Sequence, residues 1–446
     1  MAGVAAYRGS FGASQAERLL WRAGFGPRRG EAEALAKLGL EGAVRELTNP
    51  GLERLVGPTP HDDKGHPLAP YDAWGHDHLW WLDRMVRTSR PLVERMALVW
   101  HDWFATSNDG VGSQRLMLNQ NQLFRERGLG SFHDLLVDVT RDPAMLLWLD
   151  GSDNSKYSPN ENYGREMMEL FTLGADHGYG EEDVRQNARA LTGFRNDWKP
   201  GRGDVNFRYD PRYHDAGTKV LFKKRGAWTW RDSCRLCVTH PDHPSFFVQK
   251  LWSYFVPTVP DAATASALQQ LYVQGKYEIR PVVAAILRHP SLYDGPRMVK
   301  SPVLYTAGLL RRLGRGIDTT SWVWLDSLAG QQLFYPPNVA GWDDTRWLDT
   351  ATWRGRWWIA QTALDPYALN PGKKQEPYDA DRLIAKALAF WRNPVVADAT
   401  MSALKQFTRN ALADAKSEKW KQQQYPPMVV NALRHLIAAS PELQSA

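Results

Sequence analysis

The chain has 446 residues, of which 43% are hydrophobic and 23% charged, a composition that excludes an intrinsically disordered protein and allows a large buried core. Its formal net charge of +6 arises from 55 Lys and Arg against 49 Asp and Glu, which are spread along the chain without a basic run, so we expect no nucleic-acid partner. No segment approaches the roughly 18 continuous apolar residues of a membrane span, and the N-terminus lacks the apolar core of an export signal. These features predict no membrane span, and a cytoplasmic protein as written or an exported one whose signal was removed.

Apolar residues recur three and four positions apart through the first part of the chain, which is the spacing of amphipathic helices. Glycines and prolines interrupt this pattern and mark the ends of the helices. The pattern predicts helices over 14–24, 31–38, 40–47, 73–87, 91–104, 113–127, 131–140, 143–149, 160–174 and 181–193.

The helical spacing disappears between Phe194 and Trp230, where short aromatic or β-branched segments alternate with Gly and Pro. Segments such as 206–209 and 219–222 are typical of a small antiparallel hairpin. Its basic stretch from Lys219 to Arg231 is interpreted as a solvated hairpin tip, with contact to an anionic partner as the alternative. Helices are predicted again over 231–239, 243–255, 262–274, 278–289, 302–314, 322–331, 351–364, 380–392, 397–414 and 426–438. The fold class is therefore all-α, a multi-helix single domain with a small β-hairpin insertion around 194–230.

The only two cysteines are Cys234 and Cys237, and they belong to an apolar helical stretch. No second cysteine pair completes a zinc site, and no adjacent His completes a haem-attachment motif. We predict that both thiols are reduced and buried as small core residues.

The segment Asn160–Gly174 reads NENYGREMMELFTLG and closely resembles the signature of the domain of unknown function 1800 family, a family of bacterial proteins. Six other strings match in the family's order: WRAGFG at 21–26, WHDWF at 100–104, ALTGF at 190–194, KLW at 250–252, KSP at 300–302 and PPNVAGW at 336–342. The resemblance covers roughly residues 14–364 and fades afterwards. It implies a helical domain over 14–364 and a C-terminal helical extension over 365–446 that packs on it.

The resemblance implies little about activity, because the family has no established one. Its members are often exported and often encoded beside proteins that resemble phosphatases and sulfatases, so a phosphatase/sulfatase-like protein is the expected partner. One departure from the family pattern is Trp103, which stands where the family usually has a second His. If that His pair binds a metal in other members, this chain has lost the site or rebuilt it.

The polar residues of the strongest helical motifs are the candidate catalytic residues, namely Glu166, His101 and Asn162. Glu166 falls between two stripes of its helix, where partial burial raises the pKa of a carboxyl group and makes it a possible general acid or base. The alternative is that Glu166 accepts hydrogen bonds from a core arginine such as Arg125, Arg165 or Arg189 and only locks helices together. For His101, a neutral core imidazole near a helix end is the alternative to a catalytic role.

Further polar and aromatic residues of the motifs and the insertion are candidate ligand-binding positions. They are Arg125, Asn160, Arg165, His214, Lys219, Asn338 and Trp342. Metal-ligand residue types also cluster between His61 and His78, but without a recognised spacing, so no metal site is predicted and no cofactor is assigned.

These candidates support two classes of function. One is an enzyme or small-ligand protein with a polar pocket between helices, suited to acid/base hydrolysis or transfer. The other is a non-catalytic partner or assembly factor, or a glycan-binding surface. Its binding face is the aromatic C-terminal region, which holds seven of the 20 tryptophans: Trp322, Trp324, Trp342, Trp347, Trp353, Trp357 and Trp358. A convergence of motif side chains around a cleft would favour the first class.

Overall fold

The computed structural model describes residues 3–175, 177–371, 376–416 and 418–446. It is 56% helical, with 23 α-helices among these residues. The first eleven are α1 Ala13–Arg22, α2 Glu31–Ala36, α3 Gly39–Thr48, α4 His76–Arg87, α5 Pro91–Trp103, α6 Asn108–Val111, α7 Gln114–Arg127, α8 Phe132–Thr140, α9 Pro143–Trp148, α10 Asn162–Glu166 and α11 Glu181–Ala190. The later twelve are α12 Trp230–Val238, α13 His243–Ser253, α14 Ala262–Gln274, α15 Ile279–Arg288, α16 Pro290–Tyr293, α17 Pro302–Leu313, α18 Ser321–Leu328, α19 Thr350–Leu364, α20 Ala380–Phe390, α21 Asp398–Ala415, α22 Lys419–Ala438 and α23 Pro441–Gln444. The predicted all-α fold is confirmed.

The insertion between α11 and α12 forms two antiparallel hairpins rather than one. Strand β1 Phe194–Lys199 pairs with β2 Gly203–Tyr209, and β3 Lys219–Leu221 pairs with β4 Lys224–Gly226. The second hairpin turns through Phe222 and Lys223, which both have positive φ. A two-residue turn of this kind matches the right-handed twist of the strands, but its usual Asn-Gly signal is absent, so the sequence pattern alone did not separate the two hairpins.

The predicted helix over 160–174 is interrupted. After α10 the chain forms a π-helical segment, Met167–Thr172, in which the Leu173 N–H donates to the Met168 carbonyl at 2.8 Å. This wider turn leaves the next carbonyl groups free, and side chains from other helices bond to them. The Trp103 indole N–H donates to the Phe171 carbonyl at 3.0 Å. A π-helical segment often lies next to a functional site.

The largest difference between a predicted and an observed helix boundary occurs at two prolines. The sequence pattern starts the last long helix at Pro426, whereas α22 begins seven residues earlier and continues through Pro426 and Pro427. Both prolines are buried. Packing therefore overrides the rule that proline ends a helix.

The core is rich in aromatic residues, and the motif segment 100–104 contributes much of it. Trp100, Trp103 and Phe104 are fully buried. Cys234 and Cys237 are free and buried, as predicted, and burial raises the pKa of the Cys234 thiol to about 12. Within the described residues, no helix is long and apolar enough to cross a membrane.

The helices after residue 364 contact the earlier part of the chain. The Tyr305 hydroxyl of α17 donates to the carbonyl of Ala438 at 3.0 Å, and the backbones of Val299 and Ser445 form an antiparallel bridge. The C-terminal extension therefore packs on the first part of the protein. The division into two domains at residue 364 stays a prediction.

Candidate ligand-binding cavity

A cavity of about 260 Å³ lies between α1, α5, α13 and the loops that precede α17 and follow α18. Five of the seven motif strings supply residues to its lining: Trp21 and Arg22, Asp102, Lys250, Lys300 and Ser301, and Ala340 and Trp342. Arg95 and Tyr254 complete its polar wall. Strings that are far apart in the sequence thus meet around one cavity, which is the arrangement expected of a binding or catalytic site.

Asp102 is held in place by two donors from different parts of the chain. The Tyr254 hydroxyl donates to its Oδ2 at 2.7 Å, and the backbone N–H of Trp342 donates to its Oδ1 at 3.0 Å. Burial raises the pKa of Asp102, while the Trp342 N–H, the Tyr254 hydroxyl and the Lys250 charge oppose that rise. The carboxyl group is therefore fixed in orientation and easier to protonate than an ordinary Asp.

Gly341 allows this loop to approach Asp102. It has a φ of +91°, and a Cβ atom there would lie 2.3 Å from Asp102 Oδ1. No other residue type fits both the backbone conformation and the space. The glycine of the PPNVAGW string is thus explained by the close contact between its loop and the carboxylate.

Three cations of the cavity wall are almost completely buried. Arg22, Arg95 and Lys300 are only 2%, 8% and 4% exposed. No Asp or Glu carboxylate within the described residues lies within 4.0 Å of any of them. Burial lowers the pKa of all three. These groups carry charge in a region where charge is unfavourable.

Backbone carbonyl groups satisfy part of the hydrogen-bonding capacity of these cations. Arg22 donates to the backbone oxygens of Phe255 at 2.9 Å, Pro296 at 3.0 Å and Ala446 at 2.7 Å. Arg95 donates to the Tyr254 carbonyl at 3.0 Å, and Lys300 Nζ donates to the Leu443 carbonyl at 2.7 Å and lies 3.7 Å from the Trp21 ring centroid. The buried Nε groups of Arg22 and Arg95 have no hydrogen-bond acceptor within the described part of the chain. These two Nε atoms are themselves buried, so the donors lie inside the wall and not on the surface of the cavity.

Lys250 connects the cavity to the π-helical segment. Its Nζ donates to the Leu170 carbonyl at 2.9 Å and lies 4.6 Å from the centroid of the Trp103 ring. Burial lowers the pKa of Lys250 to about 8, and nearby Asp102 opposes this shift. The Trp103 ring thus provides an aromatic face for the Lys250 ammonium group.

The residues predicted on the Asn160–Gly174 motif do not line this cavity. The side-chain amide of Asn162 donates to Asp150 at 3.2 Å, and the Asn160 side chain accepts the Asn162 backbone N–H at 2.9 Å. Arg165 forms ion pairs with Glu161 and Glu181. These contacts organise the motif locally.

Glu166 has no hydrogen-bond or ion-pair partner within the described residues, so the arginine lock considered from the sequence is not seen. Burial and the neighbouring Glu169 raise its pKa. Its proposed partners pair elsewhere: Arg125 with Glu94, Arg165 with Glu161 and Glu181, and Arg189 with Asp215. A catalytic role for Glu166 and Asn162 stays a prediction.

His101 lies one residue from Asp102 but points into the core. Its Nε2 accepts the backbone N–H of Phe334 at 3.1 Å, and its ring lies 5.3 Å from that of Trp342. Burial lowers the pKa of His101 to about 3, so the imidazole is neutral. Trp342 itself lines the cavity, whereas Asn338 folds its side chain back onto the N–H of Ala340 at 2.8 Å.

His214 and Lys219 hold the insertion together rather than covering the cavity. Both are buried, and His214 Nδ1 contacts Thr192 while Lys219 Nζ donates to the carbonyls of Asp215 and Gly217. Burial lowers the pKa of each. Their ligand-binding role stays a prediction.

No group of three or more His, Cys, Asp or Glu side chains in the described ranges could hold a metal ion. The tryptophans are of two kinds: Trp322 is buried, whereas Trp324, Trp357 and Trp358 are exposed. The glycan-binding and phosphatase/sulfatase partner hypotheses stay predictions.

The sequence-based reasoning missed Asp102, Lys250 and Tyr254 as site residues. The available signal for Asp102 and Lys250 was the set of short strings WHDWF, KLW, KSP and PPNVAGW, in which polar residues stand in distinctive segments, whereas Tyr254 lies outside all of them. Because these strings are up to about 240 residues apart, from Asp102 to Trp342, their meeting point depends on the fold.

Fold and site together define a helical protein with a small β insertion and a cation-rich cavity built from separate chain segments. The chain belongs to the family described as "Protein of unknown function (DUF1800)", whose model matches residues 18–445. The match continues beyond residue 364, so the expectation that the resemblance fades there was wrong. A search of curated proteins and a search of solved structures returned no match.

Proposed function

We propose that the cavity binds a small molecule bearing an oxyanion, such as a carboxylate, phosphate or sulfate group. The observation that carries this proposal is the burial of Arg22, Arg95 and Lys300 without an Asp or Glu partner within 4.0 Å among the described residues. An isolated buried charge costs several kcal/mol unless it is paired and hydrogen-bonded. An oxyanion supplies the opposite charge and accepts charge-assisted hydrogen bonds.

The size of the cavity limits the ligand. A volume of about 260 Å³ is below the roughly 300–1,000 Å³ of sites for drug-sized molecules. The ligand is therefore a small metabolite rather than a polymer or cofactor. Arg95 is the best-placed cation to bind it, because its guanidinium group uses only one carbonyl acceptor, that of Tyr254.

Asp102, Lys250 and Tyr254 give the site its acid–base capacity. The raised pKa of Asp102 and the pKa of about 8 for Lys250 bring both groups closer to neutral pH, where general acids and bases work best. The Tyr254 hydroxyl connects to Asp102 directly. Proton transfer to or from a ligand held by Arg95 is the reaction class that this arrangement supports.

Binding is tested by calorimetric titration and thermal unfolding with inorganic phosphate, sulfate and acetate. A ligand at 100 times its Kd stabilises the folded protein by about 2.7 kcal/mol, so we expect the melting temperature to rise with at least one of these anions. Arg95→Met should raise the Kd by at least tenfold, or about 1.4 kcal/mol. The matched control is Arg202→Met, because Arg202 is an exposed residue of the insertion.

The stability of the ligand-free variants separates binding from folding. Replacing an unpaired buried cation with an apolar side chain is expected to leave stability unchanged or to increase it. Arg95→Met should therefore melt no earlier than the wild type while losing its response to the anion. The proposal would be contradicted if the anion raises the melting temperature of the wild type and of Arg95→Met equally. It would also be contradicted if Arg202→Met loses this rise to the same extent as Arg95→Met.

A further inference from the structure

A second and larger cavity, about 850 Å³ in volume, forms an open groove between the α1–α2 loop, the end of α17 and the end of α20. Seven arginines line it, with Glu33 as its one acidic lining residue: Arg28, Arg29, Arg87, Arg311, Arg312, Arg315 and Arg392. None of its lining residues belongs to the cavity around Asp102. We call it the arginine groove.

Five of the seven arginines are held by carboxylates. The ion pairs are Arg28 and Arg311 with Glu31, Arg87 with Asp83, Arg312 with Glu17, and Arg315 with Asp318. Arg311 and Arg312 are 0% and 9% exposed at their side chains. These pairs fix the side chains that form the wall and floor of the groove.

Two of these fixed arginines still have an unused donor. The buried Nε groups of Arg87 and Arg312 have no acceptor within the described part of the chain. A guanidinium group has five N–H donors in a rigid plane. Both Nε atoms are themselves buried, so these unused donors lie inside the wall and do not face the groove.

Arg29 and Arg392 have no Asp or Glu carboxylate within 4.0 Å among the residues described by the structure. Arg392 donates only weakly, to the Arg312 carbonyl at 3.4 Å. Burial and the charge of Arg312 lower the pKa of Arg392, and the charges of Glu33 and Glu17 oppose this shift. These two arginines are the free cations of the groove.

The backbone of Arg392 is in an unfavourable conformation. It follows α20 with a φ of +64°, and the Asn393 N–H donates back to the Leu388 carbonyl at 2.8 Å. This is the left-handed position after a helix that glycine usually takes. An arginine is disfavoured there, and strained residues cluster at functional sites.

We propose that the arginine groove binds a small polyanion, a molecule with two or more phosphate or carboxylate groups. Arg29 and Arg392 bind it through charge, and their guanidinium N–H groups donate hydrogen bonds to its oxyanions. Its volume of about 850 Å³ suits a ligand considerably larger than one for the first cavity. Tyr367 and Phe390, whose ring centroids lie 6.0 Å apart, provide an aromatic edge for a nucleoside if the phosphates carry one.

The test is calorimetric titration of the full chain with pyrophosphate, ADP and citrate. Arg392→Gly removes the cation and relieves the backbone strain, so its melting temperature should rise while the Kd for the tightest polyanion increases at least tenfold. The matched control is Lys276→Gly, because Lys276 is an exposed cation with a φ of +54° away from the groove. That control should also gain stability but keep wild-type affinity.

The three probes distinguish which chemical class of polyanion the groove binds. Tighter binding of ADP than of pyrophosphate would place a nucleoside against Tyr367, equal binding would indicate phosphate recognition alone, and preference for citrate would indicate a polycarboxylate. Each of these results supports the proposal if Arg29→Ser and Arg392→Gly weaken the binding of that probe and Arg95→Met leaves it unchanged. The proposal would be overturned if none of the probes binds or if Arg392→Gly keeps wild-type affinity. It would also be overturned if Arg95→Met, and not Arg392→Gly, loses affinity for the probe.

Discussion

Glu94 and Arg95 are neighbours on α5, yet they face two different charged regions. Both side chains are almost completely buried, with 0% and 8% exposure. Glu94 belongs to a closed network of partners, whereas Arg95 faces the cavity without a carboxylate. Helix α5 therefore lies between a group of buried charges that are all paired and a group of buried cations without carboxylate partners.

The Glu94 network contains two guanidinium groups and two carboxylates, because Arg84 also pairs with Glu53. Arg84 and Arg125 donate to its carboxylate at 3.1 and 2.5 Å, and the Trp81 indole N–H adds a third donor at 3.1 Å. The two guanidinium groups also lie over the Trp80 ring. Although burial alone would raise the pKa of Glu94, these donors lower it. A network of this kind joins α4, α5 and α7.

Structural and functional buried charges differ in how their removal changes the stability of the protein. A buried charge whose partners are all present stabilises the fold when kept and destabilises it when one partner is removed. A buried charge without a partner destabilises the ligand-free protein, because its desolvation cost is not offset, so its removal leaves stability unchanged or increases it. Three predictions test this difference.

The largest effect is expected at Glu94. Glu94→Gln leaves Arg84 and Arg125 without their carboxylate in the interior and should reduce the free energy of unfolding by about 3–5 kcal/mol. Denaturant unfolding measured beside the wild type checks this value. A variant of wild-type stability would show that the network is not a structural lock.

An intermediate effect is expected for the pH dependence of Lys250. Its folded-state pKa is lowered from 10.5 to about 8, so the unfolded state binds more protons between these two pH values and stability rises with pH across that window. The free energy of unfolding of the wild type should gain about 1–3 kcal/mol relative to Lys250→Met over this range. Parallel urea titrations at several pH values measure it. A constant difference between the two proteins would refute the lowered pKa.

The smallest effect is expected at Glu166. Because its pKa is raised, its charged form is disfavoured in the folded state, and stability decreases as the pH rises above the unfolded-state value. Glu166→Gln should therefore be neutral or stabilising by a few tenths of a kcal/mol at neutral pH. A loss comparable to that of Glu94→Gln would restore the lock interpretation that the structure does not support.

Helix positions and family membership could be predicted from the sequence because both depend on local patterns. The 3.6-residue spacing placed α5, α7 and α13 within one or two residues of their ends, and the Asn160–Gly174 string identified the family. The π-helical segment inside that string was not predictable, since its free carbonyls are stabilised by Lys250 and Trp103 from other helices.

The site depended still more on tertiary contacts. The sequence by itself determined that polar residues such as Asp102, Lys250 and Gly341 belong to distinctive strings, because residue type and neighbours are local properties. Only the tertiary structure decided that Asp102 faces the cavity while His101 faces the core, and that Arg95 lacks the carboxylate partner that Arg125 has. A charge becomes structural or functional through the groups that surround it in space, and those groups come from segments hundreds of residues apart.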